Sequence, residues 1–153
     1  MAHIHERIDF VVVIYVVFND RVLMILHKKL NRWLPVGGHI ELDENPEAAA
    51  VREAKEESGL DIELIGTKPN FESPGTEFLL APTYMDIHDI SATHRHIGMV
   101  YFARATTDAV TLAPDEALDI RWLSPADLAD PAYALSPSIA FYARQALRIA
   151  VDR

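Results

Sequence analysis

Between Gly38 and Leu60 the chain reads GHIELDENPEAAAVREAKEESGL, a stretch that admits little besides a glycine loop feeding a capped helix. Asn45-Pro46 is a start signal, a capping side chain followed by proline at the first helical position. Glu47 suits the positive end of the helix dipole, and Gly59 supplies the stop after Ser58. At 100° per residue, Glu53, Glu56 and Glu57 fall within about 100° of arc, while Val51, Ala54 and Ser58 are expected to face a sheet. Glutamates at such spacing are ordinarily a solvated face, with Arg52 and Lys55 offering weak surface pairs. Here the upstream Gly37-Gly38 pair and the downstream glycine make a stronger reading available. Like charges crowded on one short helical face call for a hard divalent cation, and Mg²⁺ or Mn²⁺ takes oxygen ligands of this kind.

The rest of the 153 residues bounds what surrounds this element. The length suits one domain over residues 1–153 with a full core. With 14 Lys plus Arg against 23 Asp plus Glu, the net charge of −9 argues against a nucleic-acid backbone as partner. A small phosphate ligand is still compatible, because a bound cation inverts the local charge. No run of 18 apolar residues is present, so no membrane span is expected. Met1-Ala2-His3-Ile4-His5 is either native or the remnant of a tag. The absence of cysteine removes disulfides and thiolate metal sites, and makes the cytoplasm the default location.

Ile8 to Phe18 is a nearly unbroken Val-rich run and reads as a buried strand, returning through Asn19-Asp20 into Val22 to Leu26. A basic loop, His27 to Arg32, precedes Trp33 to Gly38, and a short strand is expected at His39 to Leu42. Further strands are expected at Leu60 to Leu64, around Phe78 to Ile87, at Ile97 to Arg104 and at Leu118 to Leu123. Lys68 to Thr76 reads as a loop. Ser124-Pro125 and Ser136-Pro137 each start a helix, the second running from Ser138 to Val151 with Ile139, Tyr142, Ala146 and Ile149 as its apolar stripe. The mixture predicts an α/β fold, an α/β/α sandwich around a mixed sheet.

The spacing of Gly38, Glu44, Arg52, Glu53, Glu56, Glu57, Gly59 and Leu60 resembles the Nudix box of the MutT-like hydrolases, with Ala54 smaller than the usual aliphatic residue. Seven fixed letters of roughly 7% frequency each would coincide about once in a million chains of this length. The resemblance implies the same α/β/α fold and a Mg²⁺- or Mn²⁺-dependent hydrolase acting on the pyrophosphate linkage of a nucleoside diphosphate joined to another moiety. It implies Glu53 and Glu57 as principal metal ligands, Glu56 completing the set, and a carbonyl of Gly37 or Gly38 as backbone ligand. Glu53 is also the candidate base or water-orienting group. Arg52 would fix a neighbouring carboxylate, and Glu44 would pair with Arg52 or reach the metal through water. Glu116, six residues before Trp122, resembles the loop acid that relatives add later in the chain, with Asp115 adjacent. Relatives commonly pair as homodimers, which the resemblance allows here.

The substrate is less constrained. His39 follows the glycines at the expected pocket edge. Arg95 and His96 are candidates for phosphate or base contacts, and Trp33 and Phe78 for stacking. His94 and His96 alternate across a strand and are expected to point to opposite faces, which argues against a zinc site. Pro74 lies one residue short of the marker of ADP-ribose hydrolases, Tyr84 is far from that of dinucleoside-polyphosphate hydrolases, and no coenzyme A pattern precedes the box. Other readings are an ADP-ribose or sugar-nucleotide pyrophosphatase, or a non-catalytic nucleotide sensor; all box glutamates are present, unlike in most sensors. An isoprenyl diphosphate isomerase would want a cysteine.

Overall fold

The computed structural model describes residues 5–151, so the opening tetrapeptide lies outside the described residues. Eight strands form one mixed sheet: β1 (Ile8–Phe18), β2 (Arg21–His27), β3 (Arg32–Leu34), β4 (Val36–His39), β5 (Ile62–Ile65), β6 (Tyr84–Asp89), β7 (Arg95–Ala105) and β8 (Ala117–Leu123). Among the described residues three α-helices accompany it, α1 (Pro46–Ser58), the single-turn α2 (Pro125–Leu128) and α3 (Pro137–Val151), with a 3-10 turn at Pro131–Tyr133.

Two long strands organise the sheet. β1 and β7 run parallel in register from Ile8 opposite Arg95 to Val17 opposite Arg104. Each is longer than its other neighbours, so each takes two. β1 pairs with β2 at one end and β4 at the other, while β7 pairs with β5 and β6. β2 also carries β3 and β8.

Alternation along β1 feeds two cores. Val12, Ile14 and Val16 pack with Ala49, Ala50 and Ala54 of α1, whereas Tyr15 and Val17 pack with Ala143, Ala146 and Leu147 of α3. The sheet therefore lies between α1 and α3, the sandwich expected from the sequence. The stripe foreseen on α3, Ile139, Tyr142, Ala146 and Ile149, faces this second core. Among the described residues no helix is long and apolar enough to cross a membrane.

Several expected boundaries move. The strand expected at His39 to Leu42 lies one element earlier, because glycines 37 and 38 pair with Val13 and Val12 of β1. A Cβ on Gly37 would sit 2.3 Å from the Val12 carbonyl oxygen, so only glycine allows this approach. The strand expected from Phe78 begins only at Tyr84, and Phe78 itself lies in an irregular segment against Phe71.

Candidate active site

Helix α1 is built as its local signals require. Asn45 Oδ1 accepts the Ala48 N–H at 2.9 Å, Pro46 opens the first turn, and Gly59 ends the helix at φ 75°. Its buried face is Ala49, Ala50, Glu53, Ala54, Glu57 and Ser58. Val51, expected toward the sheet, is instead solvent-exposed. Alanine and serine at 49, 50, 54 and 58 are small enough to bring the helix against the strands, and this turns Glu53 and Glu57 inward toward the glycines of β4.

The two inward carboxylates are almost fully enclosed, with Glu53 2% and Glu57 4% exposed. The Gly37 N–H donates to Glu57 Oε1 at 2.8 Å. Gly38 lies so close to Glu53 that a Cβ there would fall 2.3 Å from Oε1. Glu56, one turn outward, is exposed.

Arg52 ties the group together. Its Nε and one terminal nitrogen donate to both oxygens of Glu44, at 3.0 and 2.6 Å. The other terminal nitrogen donates to Glu53 Oε1 at 2.9 Å and Glu56 Oε2 at 3.2 Å. A further bond reaches the His39 carbonyl at 3.0 Å, clamping the loop to the helix. This fork is a geometry lysine does not reproduce. Glu44 also accepts the Glu41 N–H at 3.0 Å, and the arginine fork holds its carboxyl below the usual glutamate range.

Burial pushes Glu53 up to about 7 against the pull of Arg52, with Glu56 and Glu116 adding to the rise. Burial pushes Glu57 up to about 8, opposed by the Gly37 hydrogen bond and reinforced by Glu53, Glu116 and Glu56. Both values exceed the 4.5 of an unperturbed glutamate, so the folded state retains protons that the unfolded chain releases. Their contribution to stability is complete below the unfolded value and is lost as pH rises through 7 and 8. Metal-stripped protein should therefore lose on the order of 5 °C in Tm between about pH 5 and about pH 8.5. Added Mg²⁺ should recover more of it at the alkaline end, and Glu57→Gln should flatten the profile. A scanning-calorimetry series that is flat in the wild type would contradict two mutually repelling buried carboxylates.

This arrangement fits a hard divalent cation: oxygen donors only, converging on one face, and strongly disfavoured as anions without a counter-charge. Glu53, Glu57 and Glu56, with a carbonyl of Gly37 or Gly38, are the groups that would hold it. Glu116 lies in the turn before β8 and is itself exposed, yet its charge raises both buried carboxyls.

The other candidates are dispersed. Trp33 on β3 packs edge-on against Tyr133 at 5.4 Å, with the Arg121 guanidinium 5.3 Å from its ring centre. Phe78 is half-buried in its irregular segment, and Arg95 is exposed at the start of β7. His39 and His96 approach each other, with ring centres 4.9 Å apart. His94 precedes β7 rather than sharing it, so the expectation that His94 and His96 point apart is overturned: both contribute ligand-type atoms to one cluster with Asp9. Asp9 was missed in the sequence; its signal is that it is the one charged side chain inside an otherwise apolar strand.

An α/β/α sandwich presenting enclosed glutamates on a helix against a glycine strand is the architecture of a hydrolase family. The NUDIX domain family matches residues 9–145, and the chain belongs to that family. It is 34% identical to a NUDIX-family hydrolase from Clostridium perfringens, with a TM-score of 0.81 over 93% of this chain and 97% of that one. It shares the fold of a MutT NUDIX hydrolase from Burkholderia pseudomallei, at a TM-score of 0.67 and 23% identity over 94% and 98% of the two chains. Mouse oxidized purine nucleoside triphosphate hydrolase is 35% identical over 80 residues, 50% of this chain. That match spans about half the length of the mouse protein, 49%.

Proposed function

We propose that this protein is a pyrophosphohydrolase that uses Mg²⁺ or Mn²⁺ to cleave the pyrophosphate linkage of a nucleoside diphosphate joined to another moiety. The observation that carries the reading is the pair Glu53 and Glu57, enclosed beside Gly37 and Gly38 and raised to about 7 and about 8. When bound, the cation neutralises charge on the phosphate oxygens and lowers the pKa of a coordinated water. Gly37 holds Glu57 in place through its N–H. Arg52 holds one oxygen of Glu53 and leaves the other, Oε2, to orient a water or take its proton. Glu44 keeps Arg52 in register from the loop. Glu116 is the proposed later acid of the site, and Trp33, Phe78 and Arg95 are the proposed substrate contacts, while His39 and His96, the other two expected from the sequence, lie with Asp9 on the opposite sheet face. The chain is read as one cytoplasmic domain, with a homodimer as the assembly to test by light scattering.

The name of the mouse relative makes oxidised purine nucleoside triphosphates the first substrates to try. A screen of these, ordinary nucleoside triphosphates, ADP-ribose, dinucleoside polyphosphates and sugar nucleotides, with product analysis, names both substrate and scissile bond. Turnover should vanish in EDTA and return with Mg²⁺ or Mn²⁺. Full turnover in chelator would refute the metal assignment, and nucleotide binding without turnover would favour a sensor.

A further inference from the structure

On the sheet face opposite α1, a second group of metal-ligand side chains converges. Asp9 lies on the β1 face that carries Tyr15 and Val17 toward α3, and is 1% exposed. His39 Nε2 stands 3.1 Å and His94 Nε2 3.0 Å from the same carboxylate oxygen, Oδ2. Ligand atoms of Asp9, His94 and His96 all lie within 4.8 Å of one another. The His96 ring meets His39 at 4.9 Å and His94 at 5.2 Å, edge to face in both cases.

His94 Nδ1 faces the Glu6 carbonyl at 3.0 Å and its Nε2 faces the Asp9 carboxylate. Both partners are acceptors only. An imidazole with one proton satisfies the carbonyl and leaves its Nε2 lone pair aimed at a carboxylate oxygen. Two protons resolve that conflict; so does a cation between the two atoms. The Nδ1–H···O=C bond is the support that orients metal-bound histidines. In a tetrahedral site with bonds of about 2.0–2.1 Å, neighbouring donors stand roughly 3.3 Å apart. The separations around Oδ2, 3.0 and 3.1 Å, are already close to that.

We propose that Asp9, His39, His94 and His96 form a binding site for a borderline transition-metal ion of the Zn²⁺ class, separate from the glutamate site on α1. Imidazole nitrogen with one carboxylate selects such an ion over Mg²⁺, which takes oxygen. A phosphate or other anion is disfavoured, because a buried carboxylate occupies the focus of the cluster.

The test is Zn²⁺ titration of EDTA-stripped full-length protein by calorimetry, with Co²⁺ absorption in the visible as a reporter of nitrogen ligation. One tight equivalent is expected in the wild type and in the Glu53→Gln/Glu57→Gln variant, which separates this site from the glutamates. His94→Ala/His96→Ala should weaken that equivalent by on the order of 100-fold or more. Should that variant not fold, anomalous diffraction at the zinc edge from Zn²⁺-soaked wild-type crystals should show a peak between Asp9 and the three histidines. No tight Zn²⁺ equivalent, retention of it in the folded histidine variant, or an anomalous peak elsewhere would overturn the proposal and leave a proton-linked hydrogen-bond cluster.

Discussion

Glu57→Gln should yield a folded protein whose kcat is lower by on the order of 10³-fold or more. The substitution keeps side-chain volume, and the amide oxygen can still accept the Gly37 N–H that Glu57 Oε1 holds at 2.8 Å. What it removes is an anion in an enclosed position, where burial alone makes that charge unfavourable. The two effects separate cleanly. Without metal the variant should be at least as heat-stable as the wild type at alkaline pH, since a buried charge has been deleted. With metal it should lose both the stabilisation by Mg²⁺ and turnover. Steady-state kinetics and melting curves with and without Mg²⁺ check both halves. Unchanged kcat would remove Glu57 from the site, while a collapsed fold would mean its structural role outweighs its charge.

Gly38→Ala should lower kcat by about 10²-fold while leaving Tm within a few degrees. The backbone at Gly38 is not left-handed, so alanine is conformationally acceptable there. Its Cβ, however, would fall 2.3, 2.5 and 2.8 Å from the Glu53 carboxylate atoms. That carboxylate is the far end of a flexible side chain and can swing away at modest cost. In doing so it leaves Arg52, which holds it at 2.9 Å, and loses its position in the site. The neighbouring Gly37→Ala supplies the contrast. Its Cβ meets the Val12 carbonyl oxygen, which is backbone of the central strand and cannot swing aside. That change should cost about 1–3 kcal/mol of stability through forced displacement of β4. Equal effects of the two alanines on Tm would contradict the distinction between a displaced side chain and a displaced strand.

The helix that carries the acids was legible because its signals are local. Asn45, Pro46 and Gly59 act on the turn they belong to, and the structure uses each of them in the role the sequence suggested. Long apolar runs likewise announced β1 and β7, whose central residues are mostly buried. The direction of α1 was less legible. Val51 is more apolar than Glu53, yet it faces solvent, because small residues set the packing distance and the glycines of β4 leave room for carboxylates. The strand at Val36–His39 was similarly obscured: glycine has low strand propensity, and only its pairing with β1 makes it a strand.

The chain's order of residues by itself determined the capped helix and the set of carboxylates it carries, since spacing along a helix converts directly into position around it. The meeting of Asp9 with His39, His94 and His96 was decided only in three dimensions. Asp9 and His94 are separated by 85 residues in sequence and are brought together where β7 docks parallel to β1 and β4 docks on the other side. Strand pairing of that kind depends on register and partner choice across the whole sheet, and no local pattern encodes it.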